Sequence, residues 1–168
     1  MASSLALDER ALILAPPQLA ADTARLLATV GIESLCAHDI ANLHDCLIEG
    51  AALAIIAEQT FSNGPSPPLQ GFIDQQPSWS DLPILLIMDV SSAATGPTHL
   101  PTGNLMQLLF PLEEGQVLQL IRIAQRNRRH QYHARDQLSA QQQRLDARFQ
   151  EQHSTELART QIRKMEAI

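Results

Sequence analysis

The chain has 168 residues, 45% of them apolar, and a net charge of −6. That is enough apolar material for one packed domain with some chain left over, and it excludes a wholly disordered protein. No apolar run approaches the roughly 18 residues that a membrane crossing needs, and Met1 to Glu9 has no basic flank of the kind that opens a secretory leader. Two cysteines make no disulfide framework. A cytoplasmic protein with no membrane attachment is the expectation.

The charge is unevenly divided. Through Ile121, two basic residues (Arg10 and Arg25) stand against 13 acidic ones, whereas from Arg122 onward ten basic residues stand against five acidic. A basic tail can mark a nucleic-acid-binding segment. Here the positive charges are spread through a Gln-rich stretch and interrupted by Asp136, Asp146, Glu151 and Glu156. That pattern is a solvated helix face, and no nucleic-acid partner is expected.

In chain order, Ala11 to Ala15 is a short apolar run closed by Pro16-Pro17, a buried strand. Pro17 suits a first helical turn, and Leu19, Thr23, Leu26, Leu27 and Val30 recur at helical spacing up to a Gly31 cap. Ile32 to Cys36 forms a weaker strand. Asp39 then caps a helix carrying Ile40, Leu43, Leu47 and Ile48 that ends at Gly50. Ala51 to Ala57, apolar on both faces, is the third strand.

Ser62 to Pro68 is a loop by its Gly and Pro content, with a short helix from about Leu69 to Gln75. Leu82 to Met88 is the fourth strand and the most apolar stretch, and Leu105 to Phe110 is the fifth. Between these two lie Gly96, Pro97, Pro101 and Gly103, so any helix there is short or broken. Strands alternating with helices predict an open parallel α/β sheet.

From Glu113 to Ile168 there is no proline and a single glycine, Gly115. Val117, Leu120, Ile121 and Ala124 form a stripe that can cover the sheet. Beyond Arg128 the apolar positions thin to Leu138, Leu145, Phe149, Leu157, Ile162 and Met165. A continuous helix here would be roughly 80 Å long at 1.5 Å per residue, more than so small a domain can bury. Leu138 and Leu145 are seven apart and Phe149 follows by four, as in a coiled-coil seam, although Gln152 and Glu156 occupy seam positions in that frame. A weak parallel homodimer through this helix is expected, with those six apolar residues as its seam. The division is a globular domain over 1–125 and a helical coiled-coil segment over 126–168.

This order of elements resembles the receiver domain of bacterial two-component signalling, over about Arg10 to Gln125. The resemblance implies a flavodoxin-like, five-stranded, doubly wound parallel sheet. Receiver domains carry an acidic pair after strand one to hold Mg²⁺, a phosphoacceptor Asp at the end of strand three, Thr or Ser after strand four, and Lys-Pro after strand five. Carboxylates and Mg²⁺ gather and neutralise the phosphoryl group, while the lysine and hydroxyl hold it. In this chain those positions fall on Pro16 and Pro17, on Ala57 (with Glu58 next), on Met88 (with Asp89 next) and on Phe110-Pro111. The resemblance therefore implies a pseudo-receiver, with the fold kept, no catalytic residues, no metal and no cofactor.

Two further strings point the same way. Arg163-Lys164-Met165-Glu166-Ala167-Ile168 is similar to the segment entering the dimerisation and phosphotransfer helix of many histidine kinases, and Trp79-Ser80-Asp81-Leu82-Pro83 resembles part of the receiver-like domains at the N-termini of such kinases. They imply the N-terminal part of a sensor histidine kinase, ending just before its phosphotransfer helix, with the kinase core downstream in the same polypeptide. The function expected is a non-phosphorylatable regulatory and dimerisation module that relays a signal through the helix. Two alternatives stay open: a phosphoaccepting receiver of unusual chemistry that uses Asp89 or Asp39, and a free-standing protein-binding adaptor whose helix pairs with a different chain.

Other constellations are weaker. Cys36-x-His38 and His44-x-Cys46 pair soft metal ligands, but strand, loop and helix placements do not force them together. His130 and His133 share a helix face and, with His153, are read as solvated or seam residues rather than as a metal clip or a proton sensor. No Gly-rich loop follows the first strand, which argues against a dinucleotide or P-loop site.

Overall fold

The computed structural model describes residues 8–91 and 99–167. Gly96 and Pro97, invoked above to limit a helix, and Ile168, the last residue of the kinase-like string, lie outside the described residues. Five parallel strands form one sheet in the order β2-β1-β3-β4-β5: β1 (Ala11–Leu14), β2 (Ser34–Cys36), β3 (Leu53–Ala57), β4 (Ile84–Asp89) and β5 (Leu105–Phe110). Among the described residues, the complete helices are α1 (Pro17–Thr29), α2 (Ile40–Glu49), α3 (Pro67–Asp74) and α4 (Glu114–Glu166), and Glu58–Phe61 forms a 3₁₀ turn. The expected open parallel α/β architecture is present.

Period-2 alternation divides the apolar residues between the two faces of the sheet. On one face Leu12, Leu14, Ala54, Ile56, Ile84, Leu86 and Met88 pack with Leu43 and Leu47 of α2 and Leu69 of α3. On the other, Ile13, Leu53, Ile55, Leu85 and Ile87 pack with Leu27 of α1 and with Val117, Ile121 and Ala124 of α4. Full burial of each Leu, Ile, Val or Met side chain among these is worth about 1.5–3 kcal/mol, so the central strands, covered on both faces, carry the fold.

Several boundaries differ from the sequence reading, each for a local reason. Ile32 donates its N–H to the Leu27 carbonyl and closes α1, with Gly31 at φ +74°, so β2 is only three residues long. Pro67 and Pro68 are the first turn of α3 rather than the end of a loop, because a first-turn residue needs no N–H donor. The Glu58–Phe61 turn seats Phe61 in the core and carries no periodic signal in the sequence. Asp39 caps α2 as expected, its Oδ1 accepting from the Asn42 N–H at 2.7 Å.

The chain divides into two compact units, Met1–Gln131 and Tyr132–Ile168, and α4 contributes to both. The first unit keeps more of α4 than the 1–125 boundary allows. Arg128 is 95% buried, and its guanidinium donates to the Ala51 carbonyl (3.1 Å), Ser80 Oγ (2.7 Å) and Gln131 Oε1 (2.7 Å), lying 5.7 Å over the Trp79 ring. Gln131 in turn accepts the Asp81 N–H and donates to the Asp81 carbonyl. A buried charge satisfied by partners this distant in sequence leaves no apolar periodicity to read.

Candidate functional site

The strand order reverses between β1 and β3, and in open parallel sheets ligands bind beyond the C-terminal strand ends at such a switch point. The positions singled out by the sequence all lie along this edge. Pro16 and Pro17 follow β1, Ala57 ends β3, Met88 precedes the last residue of β4, and Phe110 ends β5, joined to Pro111 by a cis peptide bond. Ala57 and Met88 are buried, and Phe110 is half exposed. None of the five side chains offers an oxygen or nitrogen to a metal ion or a phosphoryl group.

The polar groups on the edge come from neighbouring residues. Asp89 is exposed at the end of β4, and its backbone N–H donates to Glu58 Oε1 at 2.9 Å. Its Oδ1 accepts from the Ser91 backbone N–H (2.9 Å) and hydroxyl (2.8 Å), and these bonds, the backbone one first, hold its carboxyl below the usual carboxylate range. Asp22 on α1 accepts from both Gln18 and Arg25. Between these groups lies a cleft of about 340 Å³, walled by Pro16, Leu19, Ile87, Met88 and Phe110 and edged by Gln18, Asp22, Gln59 and Asp89. Pro16, Met88, Asp89 and Phe110 are site candidates by sequence, but the cleft is not, because it forms only when four strand ends and α1 meet.

The cysteine–histidine pairs do not converge on a visible centre. Cys36 is exposed on β2, Cys46 is buried on α2, and His44 stands edge-on to Phe72. Among the described residues no three His, Cys, Asp or Glu side chains are grouped to hold a metal ion. Among the described residues, too, no helix is long and apolar enough to cross a membrane.

In the second unit, Leu138, Leu145, Phe149, Leu157, Ile162 and Met165 are each at least half exposed. They do not form one stripe. At about 100° per residue, Leu138, Leu145 and Phe149 fall within about 40° of one another, whereas Leu157, Met165 and Ile162 lie about 100–240° further round. His153 stacks on Phe149, with ring centroids 6.2 Å apart, and Arg135 lies 4.7 Å over the Tyr132 ring.

No family model and no curated protein matches the chain. Solved structures do. Full-length FixJ from B. japonicum superposes with a TM-score of 0.53 at 16% identity, covering 71% of this chain and 59% of that one. A response regulator receiver protein from Sinorhizobium medicae matches with a TM-score of 0.53 at 16% identity, over 73% of this chain and 98% of its own. The fold is receiver-like. The lysine decarboxylase LdcF from Francisella novicida also matches, with a TM-score of 0.50 at 13% identity, over 72% of this chain but only 17% of that one. The same architecture thus recurs in proteins of different activity, and function must be argued from the site.

Proposed function

We propose that this chain is a regulatory and dimerisation module of a cytoplasmic two-component sensor histidine kinase. In this reading it is not itself an enzyme. A receiver-like head that accepts no phosphoryl group biases the packing of a parallel coiled coil formed by α4, and the coiled coil passes that bias to a kinase core in the same polypeptide. The observation that carries the reading is the sheet edge, where Pro16, Pro17, Ala57, Met88 and Phe110 stand at the positions that phosphoryl chemistry requires to be acidic, hydroxylic or basic. The kinase context is supported by the Arg163-to-Ile168 string and by the unbroken run of α4 from Glu114 to Glu166. The change of phase between Phe149 and Leu157 supports two alternative seams, and packings that differ by a few kcal/mol can carry a signal.

Incubating the full chain with acetyl phosphate and Mg²⁺, followed by intact mass measurement, tests the phosphoryl part of the proposal. The mass is expected to stay unchanged. A stable gain of one phosphoryl group, lost in Asp89→Asn or Asp39→Asn, would establish the rival reading of an unusual phosphoaccepting receiver. Asp89 is the better placed of the two for that rival, being ionised and exposed on the same edge.

A further inference from the structure

The cleft at the sheet edge has a chemistry of its own. Five of its nine lining residues are apolar, two are neutral amides and two are carboxylates, with no Lys, Arg or His among them. Up to Ile121 the chain has two basic residues, and neither pairs with Asp89 or Glu58. Arg10 is committed to the Gly50 and Cys46 carbonyls and to Glu49, and Arg25 pairs with Asp22. Glu58 adds a third carboxylate beside Asp89. Asp89 and Glu58, the carboxylates of this edge that Arg25 does not pair with, repel an anion placed beside them. A bare metal ion finds carboxylates but no grouped ligand set among the described residues.

We propose that this cleft binds a small organic ammonium ion with an apolar body, the ammonium paired with Asp89 and the body lying against Leu19, Met88 and Phe110. The volume sits at the lower end of the about 300–1,000 Å³ typical of ligand sites, which sets the size of the guest at a single ring or a short branched chain. Asp89 is the anchor because Asp22 already shares its charge with Arg25 and Gln18. The two Ser91 bonds hold the Asp89 carboxyl below the usual carboxylate range, so the anchor is anionic at neutral pH, where an alkylamine is protonated. Burial of the apolar body supplies the affinity, and the carboxylate supplies the choice of sign. The site stands whether or not the head reports to a kinase.

The test is a two-dimensional amide NMR titration of the full chain with three probes: 2-phenylethylamine, phenylacetate and ethylamine. Saturable shifts centred on Gln18, Leu19, Gln59 and Asp89 are expected with 2-phenylethylamine. Phenylacetate, with the wrong charge, and ethylamine, with no body, are each expected to bind at least tenfold more weakly. Asp89→Asn is expected to weaken the amine by up to about fivefold, as suits an exposed ion pair, and Phe110→Ser, at a half-exposed position, to weaken it at least as much while the spectrum stays that of the folded head. Absence of saturable shifts, equal binding of phenylacetate, shifts centred elsewhere, or unchanged affinity in both variants would each overturn the proposal.

Discussion

Replacing Arg128 with methionine keeps most of the side-chain stem and removes the guanidinium. The hydrogen bonds to the Ala51 carbonyl, Ser80 Oγ and Gln131 Oε1 go with it, together with the contact over Trp79. Hydrogen bonds to a charged group are each worth about 1.5–3 kcal/mol in place, and a desolvated cation over an aromatic ring adds up to about 2 kcal/mol. Against this stands the relief of no longer burying a charge, which offsets a large part of the sum. A net loss of about 2–3 kcal/mol is therefore expected, equivalent to a fall in Tm of about 4–12 °C for a chain of this size. Trp79 is the only tryptophan, so urea unfolding followed by its fluorescence reports on the head without interference from the exposed part of α4. Arg128→Lys should recover only part of the loss, since an ammonium cannot reproduce the planar fork. A midpoint for Arg128→Met within about 0.5 kcal/mol of the parent would refute the reasoning, because a surface substitution costs no more than that.

Two smaller effects follow from local geometry. Asp39→Ala removes the acceptor for the Asn42 N–H and should cost about 1 kcal/mol in the same unfolding experiment, while Asp39→Asn should retain most of it. Asp89 should titrate below the ordinary Asp value by carboxyl NMR and return toward it in Ser91→Ala. Because the folded-state value is the depressed one, what the Ser91 bonds contribute to stability is present above the unfolded Asp pKa of about 3.9 and is lost as pH falls through the folded value.

What could be read in the sequence, and what could not, follows from the range of the interactions concerned. Leu82 to Met88 is apolar on both faces, and only a central parallel strand or a buried helix asks for that; the Asp39 cap and Gly31 then mark helix ends within a few residues of the groups they serve. These are local rules, and the structure follows them to within about three residues at each boundary, on the scale by which strand and helix ends generally shift. Pro67-Pro68 is ambiguous in the sequence because proline has two opposite meanings, breaker in a helix interior and starter in its first turn. Arg128 and Gln131 were invisible because their partners, Ala51, Ser80 and Asp81, are supplied by other parts of the chain.

The site divides in the same way. The apolar side chains of Pro16, Pro17, Ala57, Met88 and Phe110 along this edge are legible once the strands are placed, since each residue lies at or beside a strand end. The cleft between them is not, because its walls come from β1, α1, β4 and β5 together. In the second unit the heptad spacing of Leu138, Leu145 and Phe149 is legible. The departure of Leu157, Ile162 and Met165 from that stripe shows only when positions are laid on a regular helix rather than counted as seam or not seam.

In the proposed function, α4 presents its apolar positions to a second copy of this chain. Sedimentation equilibrium of the full chain across a range of concentrations tests it most directly, run beside a Leu145→Asp/Phe149→Asp double variant that leaves the head untouched. A concentration-dependent species of twice the chain mass is expected, which the double variant abolishes with Trp79 fluorescence unchanged. A monomer at high concentration, or a dimer that survives the double variant, would contradict it.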